Sequence, residues 1–215
     1  MSSQLKAIIF DLDGLLIDSE PAWDKAYYVF LRKHNVADKP KVSGKLTGMG
    51  LRDAIKIMVD ELGLIGDVDE LTEDYRQLFY DVFLKEKRVL MQGVSDLVRK
   101  LTGKYKLAVA SGGHTREKCS QILKNIGIDK YFDAVVSSDD VKEGKPAPDV
   151  YSQTARLLVV EPQECLVLED AVNGVISGKA AGMQVIGVNS EASIREQLKE
   201  AGADEVYSSL KEVEL

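Results

Sequence analysis

At 215 residues, 45% of them hydrophobic and 29% charged, the chain has the composition of an ordinary globular protein, either one large domain or a core with a smaller appendage. Its formal net charge of −7, with no lysine or arginine run to offset it, argues against nucleic acid or an anionic membrane surface as a partner. Cys119 and Cys165 lack metal-ligand spacing and read as reduced core thiols; with no basic-then-apolar leader and no run of about 20 apolar residues, the expectation is a cytoplasmic protein.

The first element is Lys6-Ala7-Ile8-Ile9, a branched apolar run with the length of a buried parallel strand, and Asp11 and Asp13 follow where it opens into a loop. From Ser19 to about residue 87 the apolar period becomes helical. Trp23, Ala26, Tyr27, Phe30 and Leu31 form one stripe, with Ser19 as its N-cap and Pro21 in the first turn. Leu51, Ala54, Ile55, Met58, Val59 and Leu62 form a second, ended by Gly63, and Leu71, Tyr75, Leu78, Phe79, Val82 and Phe83 a third. Stripes this wide bury against each other, so the segment reads as a small helical bundle inserted after the first strand. An α/β rhythm then resumes, with helices over 94–101, 115–126, 149–159, 173–181 and 194–201 and strands over 106–110, 133–137, 165–168, 184–188 and 205–207. Strands alternating with helices of this length predict a doubly wound parallel sheet. The expected organisation is an α/β core of residues 1–15 and 90–215 with an α-helical cap of residues 16–89.

In an open α/β sheet, ligands collect beyond the carboxyl ends of the strands. Residues i and i+2 of extended chain point the same way, so Asp11 and Asp13 address one small site. Two carboxylates so close repel unless one keeps its proton or a cation lies between them, and a hard divalent ion such as Mg2+ suits oxygen ligands. The other strand ends supply Ser111 with Gly112 and Gly113, Lys145 in the loop Gly144-Lys145-Pro146-Ala147-Pro148, and Glu169 with Asp170. A hydroxyl, close-approaching backbone N–H groups, a lysine and four carboxylates at one edge can hold a phosphate dianion beside Mg2+. Ser111 and Gly112 are the phosphate donors of this scheme, and Lys145 neutralises phosphate charge.

The motifs DLDGLLIDSE, VASGG, EGKPAPDVY and LEDAVNG, in this order, resemble those of the haloacid dehalogenase superfamily, in the branch of β-phosphoglucomutase and small sugar phosphatases, including enzymes of the 2-deoxyglucose-6-phosphatase type. The resemblance covers essentially the whole chain and implies a Rossmann-like core. It further implies that Asp11 attacks phosphorus to form an aspartyl-phosphate, and that Asp13 serves as general acid and then base. By the same resemblance Mg2+ is held by Asp11, the Asp13 backbone carbonyl and Asp170, with Glu169 in support.

Within that branch, Asp13 suits an ester whose alcohol needs a proton to leave, whereas expulsion of halide needs none. β-Phosphoglucomutases carry a histidine five residues after the aspartate matching Asp18, where this chain has Trp23. A phosphatase acting on a small phosphorylated metabolite, with no obligate protein partner, is therefore the leading expectation, with a phosphosugar mutase as the alternative. Glu20, Trp23, Met49 and Arg52 are the cap candidates for contact with the leaving group; Trp23 also fits simple cap–core packing, and Arg52 a solvated face. His34 reads as a surface residue and His114 as an exposed residue at a helix start. A receiver-type signalling switch shares the aspartate, hydroxyl and lysine but has no helical insert after its first strand. A catalytically silent binding module would not need every one of these chemical groups.

Overall fold

The computed structural model describes residues 4–37, 42, 45–83 and 90–215. Six parallel strands form one sheet: β1 (Ala7–Phe10), β2 (Lys106–Ser111), β3 (Ala134–Ser137), β4 (Cys165–Glu169), β5 (Gln184–Val188) and β6 (Glu205–Tyr207). Their order is β3-β2-β1-β4-β5-β6, so the chain builds outward from β1 on one side, then returns to its other side at β4. Ile9 faces Ala108 of β2 and Val167 of β4 in this register. The crevice between β1 and β4 is the topological switch point, where such sheets bind their ligands.

Every residue of β1 is buried, because alternate side chains feed two cores. Ala7 and Ile9 pack with Ala108, Ala110 and Val167 against α6 (Asp149–Leu158), α7 (Val172–Ala180) and α8 (Ala192–Glu200). Ile8 and Phe10 face the opposite way, toward α4 (Val94–Leu101) and α5 (Arg116–Asn125). That second core continues through Leu12, Leu15 and Leu16 into the inserted helices α1 (Glu20–Lys33), α2 (Leu51–Leu62) and α3 (Val68–Phe83). Phe30 of α1 and Phe79 of α3 are fully buried in the bundle, and truncating either to alanine would cost about 3–5 kcal/mol.

The insert is pinned at its base. Ile17 bridges Leu90, and the Met91 N–H donates to the Leu16 carbonyl at 3.1 Å, so the outgoing and returning chains run side by side. Of the returning chain, residues 84–89 lie outside the described residues. Helix α2 starts directly on the sheet edge: the Leu51 N–H donates to the Gly112 carbonyl at 3.1 Å and the Gly50 N–H to the Lys145 carbonyl at 3.3 Å. A Cβ on Gly112 would lie 2.6 Å from the Met49 carbonyl oxygen, so only glycine permits this approach. Among the described residues no helix is long and apolar enough to cross a membrane.

Two local expectations are corrected. Ser19 stands at the N-cap position of α1, but its oxygen accepts from no backbone N–H there; its hydroxyl donates to Asp13 Oδ1 at 2.6 Å, a charge-assisted bond that orients the side chain. His34 is only partly exposed. It is half-buried at the end of α1, where Nε2 meets Asp74 of α3 at 2.9 Å and the ring packs on Phe30.

Candidate active site

The carboxyl edge of the sheet brings together Asp11, Ser111, Lys145, Glu169 and Asp170, drawn from three strand ends and the loop before α6. Lys145 is 1% exposed, far from the surface lysine that its Pro-rich loop would suggest. Its ammonium donates to Asp11 Oδ1 at 2.5 Å, Glu169 Oε1 at 2.6 Å and the Ala110 carbonyl at 3.1 Å, which uses all three hydrogens. Burial alone would depress the ammonium, yet Asp11 and Glu169 hold it well above the usual lysine value. Glu169 is saturated: Oε1 also accepts from the Tyr151 hydroxyl at 2.7 Å, and Oε2 from the N–H groups of Asp170 and Ala171 at 3.0 and 3.1 Å.

Carboxylate oxygens of Asp11, Glu169 and Asp170 lie within 4.8 Å of one another, all buried. Burial, then the charge of Glu169 and Asp11, pushes the Asp170 carboxyl well above its usual range. Burial likewise raises Asp11, against the opposing pull of Lys145. One lysine does not neutralise three buried carboxylates. A divalent cation fits this donor set, and because Glu169 is already occupied, Asp11 and Asp170 are the side chains with oxygen capacity left for it. Space for the cluster is made by glycine: a Cβ at Gly14 would fall 2.1 Å from Asp170 Oδ2, and one at Gly174 1.7 Å from Glu169 Oε1.

Asp13 lines the same cleft but turns its carboxylate to a different set of groups. Oδ1 receives the Ser19 hydroxyl at 2.6 Å, the Trp23 indole N–H at 3.2 Å and His114 Nε2 at 3.0 Å. Burial would raise this carboxyl, but His114 first, then the Ser19 and Trp23 hydrogen bonds, hold it below its usual range. His114 corrects the sequence expectation most sharply. It is fully buried, because the Gly112-Gly113 turn carries it inward under α3, where Nδ1 meets the Tyr80 hydroxyl at 3.0 Å. Nothing in its local sequence signals this beyond its place just after the Ser111 turn. At the end of β2, Ser111 Oγ is buried beside the Cys119 thiol, a weak hydrogen-bonding group, and has no other hydrogen-bond partner among the described residues.

Above these groups lies a cleft between the sheet edge and the inserted helices. Of the four cap candidates, Glu20, Trp23 and Met49 line it and Arg52 does not. Leu51 faces the cleft and is buried, so the next helical position, about 100° round, points outward, and Arg52 pairs with Asp69 at 2.6 Å in a separate cavity. Trp23 packs among the inserted helices, its ring stacked on Phe79 with centroids 3.8 Å apart, while its N–H reaches Asp13 in the core. Glu20, at the cleft mouth, has its carboxyl pushed up to about 7, by desolvation first and then by Asp13, Asp24 and Asp18. No lysine or arginine lines the cleft among the described residues, whereas Asp11, Asp13, Glu20, Asp24 and Asp170 do.

A family profile described as haloacid dehalogenase-like hydrolase matches residues 8–188. A phosphorylated carbohydrates phosphatase of Thermotoga maritima is 30% identical over 97% of this chain and 100% of its own length. The fructose-1-phosphate phosphatase YqaB of Escherichia coli is 30% identical over 87% of this chain and 98% of its own. In solved structures the fold recurs in a β-phosphoglucomutase of Clostridium difficile, with a TM-score of 0.85, 21% identity, and coverage of 99% of this chain and 94% of that one.

Proposed function

The chain belongs to the haloacid dehalogenase-like hydrolase family, as a phosphoric monoester hydrolase, and we propose that it is a Mg2+-dependent phosphatase of small phosphate monoesters, sugar phosphates foremost. The observation that carries this reading is the division of labour between the two aspartates. Asp11 sits against Lys145 in the carboxylate cluster, as a nucleophile toward a phosphate held there would. Asp13, two residues on, sits among neutral and imidazole donors on the cleft side, as a proton donor to a leaving group would.

In this mechanism an Asp11 oxygen attacks phosphorus while the bond to the leaving oxygen breaks and Asp13 delivers a proton to that oxygen, giving an aspartyl-phosphate. Asp13 then takes a proton from the attacking water, and the Asp11–phosphorus bond breaks to release phosphate. Ser111, whose hydroxyl has no partner stronger than the Cys119 thiol among the described residues, and the Gly112 N–H donate to phosphate oxygens, and Lys145 offsets their charge. Asp11, Asp170 and the Asp13 carbonyl would hold Mg2+, which supplies charge neutralisation of the phosphoryl oxygens. Residues 16–89 act as the cap on a core of residues 1–15 and 90–215, and exclude water around the leaving group. The partner is a small phosphorylated metabolite.

Hydrolysis is favoured over the mutase reaction by Trp23 in place of a histidine and by the charge of the cleft. A bisphosphate intermediate carries a second dianion into the leaving-group space, which here offers carboxylates and no cation among the described residues. The test is phosphate release with Mg2+ from a panel of sugar, deoxysugar, sugar-alcohol and nucleoside monophosphates, with β-glucose 1-phosphate plus its bisphosphate assayed for the 6-phosphate. Isomer conversion without release would replace the phosphatase reading with the mutase.

A further inference from the structure

We propose that His114 is a positioning residue for the general acid: gripped by Tyr80 of the inserted bundle on one side and Asp13 on the other, it fixes which Asp13 oxygen carries the transferred proton. The proposal rests on the phosphatase reading and extends it to a residue outside the nucleophile, metal and phosphate sets.

His114 is fully buried, and both ring nitrogens are engaged, Nε2 with Asp13 Oδ1 at 3.0 Å and Nδ1 with the Tyr80 hydroxyl at 3.0 Å. Its ring packs against Trp23, Phe79 and Tyr80 with centroids 5.5, 5.0 and 5.7 Å apart, and its carbonyl accepts from the Ser137 hydroxyl. The imidazole therefore has no freedom to rotate. An ionised carboxylate only accepts, so Nε2 carries a hydrogen and donates to Asp13. The opposite assignment would set two lone pairs face to face at 3.0 Å against a fully buried ring.

All three donors to Asp13, from Ser19, Trp23 and His114, converge on Oδ1, and among the described residues none reaches Oδ2. When the carboxyl is protonated, its hydrogen goes to the oxygen that receives no donor. Oδ2 is thus the donor oxygen, left for the cleft that Asp13 lines. In the first half-reaction the Oδ2–H bond breaks and the proton passes to the leaving oxygen, which keeps the electron pair of its broken bond to phosphorus; His114 keeps its own hydrogen throughout. Ser19 lies at the start of α1, Trp23 within it, and Tyr80 in α3, so the acid is aimed by the inserted helices and not by the sheet alone. A docked cap and an aimed acid become one arrangement.

A residue that aims a proton donor matters in proportion to how badly the leaving group needs the proton. Phenyl phosphate and p-nitrophenyl phosphate have nearly the same shape, but phenol, with a pKa of about 10, leaves poorly without a proton and p-nitrophenol leaves well. The experiment is to measure kcat and KM for both with Mg2+ on the full chain, in the wild type and in the His114→Leu, His114→Gln and Tyr80→Phe variants. In His114→Leu, kcat for phenyl phosphate falls about tenfold or more beyond any fall for p-nitrophenyl phosphate, out of the roughly 10²–10⁴-fold that general acid catalysis supplies. His114→Gln, which can still present a donor N–H, recovers most of that difference, and Tyr80→Phe shows a smaller shift in the same direction. Equal losses on the two substrates, or none, in His114→Leu would overturn the proposal. If leucine at 114 prevents folding, Tyr80→Phe, which removes a single oxygen, decides by the same ratio. Wild-type protein inactive on both aryl phosphates and the sugar-phosphate panel would instead overturn the phosphatase reading itself.

Discussion

Lys145 Nζ lies 2.5 Å from Asp11 Oδ1 in a pair that is almost wholly buried, and the same ammonium holds Glu169 at 2.6 Å. The two ends of this pair are not equivalent. Removing the Asp11 charge leaves Lys145 still paired with Glu169, while removing the lysine leaves two buried carboxylates without a cation.

Asp11→Asn is therefore expected to abolish turnover with the melting temperature within about 3 °C of wild type, whereas Lys145→Met should lose activity and also about 3–5 kcal/mol, on the order of 10 °C in melting temperature. Thermal unfolding beside the phosphate-release assay checks both. Near-wild-type turnover in Asp11→Asn would remove the nucleophile assignment, and equal melting temperatures would refute the asymmetry.

The carboxylate cluster predicts a metal response. At about 100 times its dissociation constant Mg2+ should stabilise the wild type by about 2.7 kcal/mol, or roughly 5–10 °C. Asp170→Asn should lose that increment while melting no lower than the wild type in chelator, since among the described residues Asp170 makes no ion pair and its charge is opposed chiefly by burial, Glu169 and Asp11. A full Mg2+ shift in Asp170→Asn would mean that the ion binds elsewhere.

Glu20 gives a pH dependence. Its folded-state carboxyl, near 7, lies above the ordinary glutamate value, so the folded protein favours the neutral form. Any stability associated with that form is present at low pH and declines as pH rises through about 7. Charging Glu20 also adds a negative group to a cleft already rich in carboxylates, so kcat/KM for an anionic substrate should fall through that range. Glu20→Gln should flatten this limb, which pH profiles of the two proteins will reveal; superimposable profiles would show that Glu20 does not govern it.

Gly174 offers a test by sign. It lies in helix α7, where alanine is ordinarily better than glycine by about 1 kcal/mol. Here the added methyl would sit 1.7 Å from Glu169 Oε1. Gly174→Ala should therefore destabilise by about 1–3 kcal/mol and reduce activity by displacing Glu169 from Lys145. A higher melting temperature would show that Glu169 can move aside without loss.

Much of the molecule is legible in the sequence because two periodicities dominate it. Alternation of short branched runs with helical stripes specifies a doubly wound sheet, and in such a sheet every parallel strand delivers its following residue to the same edge. Asp11, Ser111, Lys145, Glu169 and Asp170 could be collected as one site from their places after strands, and the three stripes of the inserted helices pack as their spacing requires. Tertiary structure alone decided how the side chains at that edge pair with groups remote in sequence. His114 and Asp13 are 101 positions apart and Tyr80 and His114 are 34 apart, so no local pattern marks the histidine as buried. Ser19 obeys its local preference in position and abandons it in bonding, because its hydroxyl is oriented by donating to a carboxylate six residues earlier. Arg52 is turned from the cleft by the helical rotation that buries Leu51, a choice fixed only when α2 docks on Gly112. Sequence determined which residues arrive at the strand ends, since that follows from chain periodicity; packing determined which of them face one another, since that depends on contacts the chain makes only once folded.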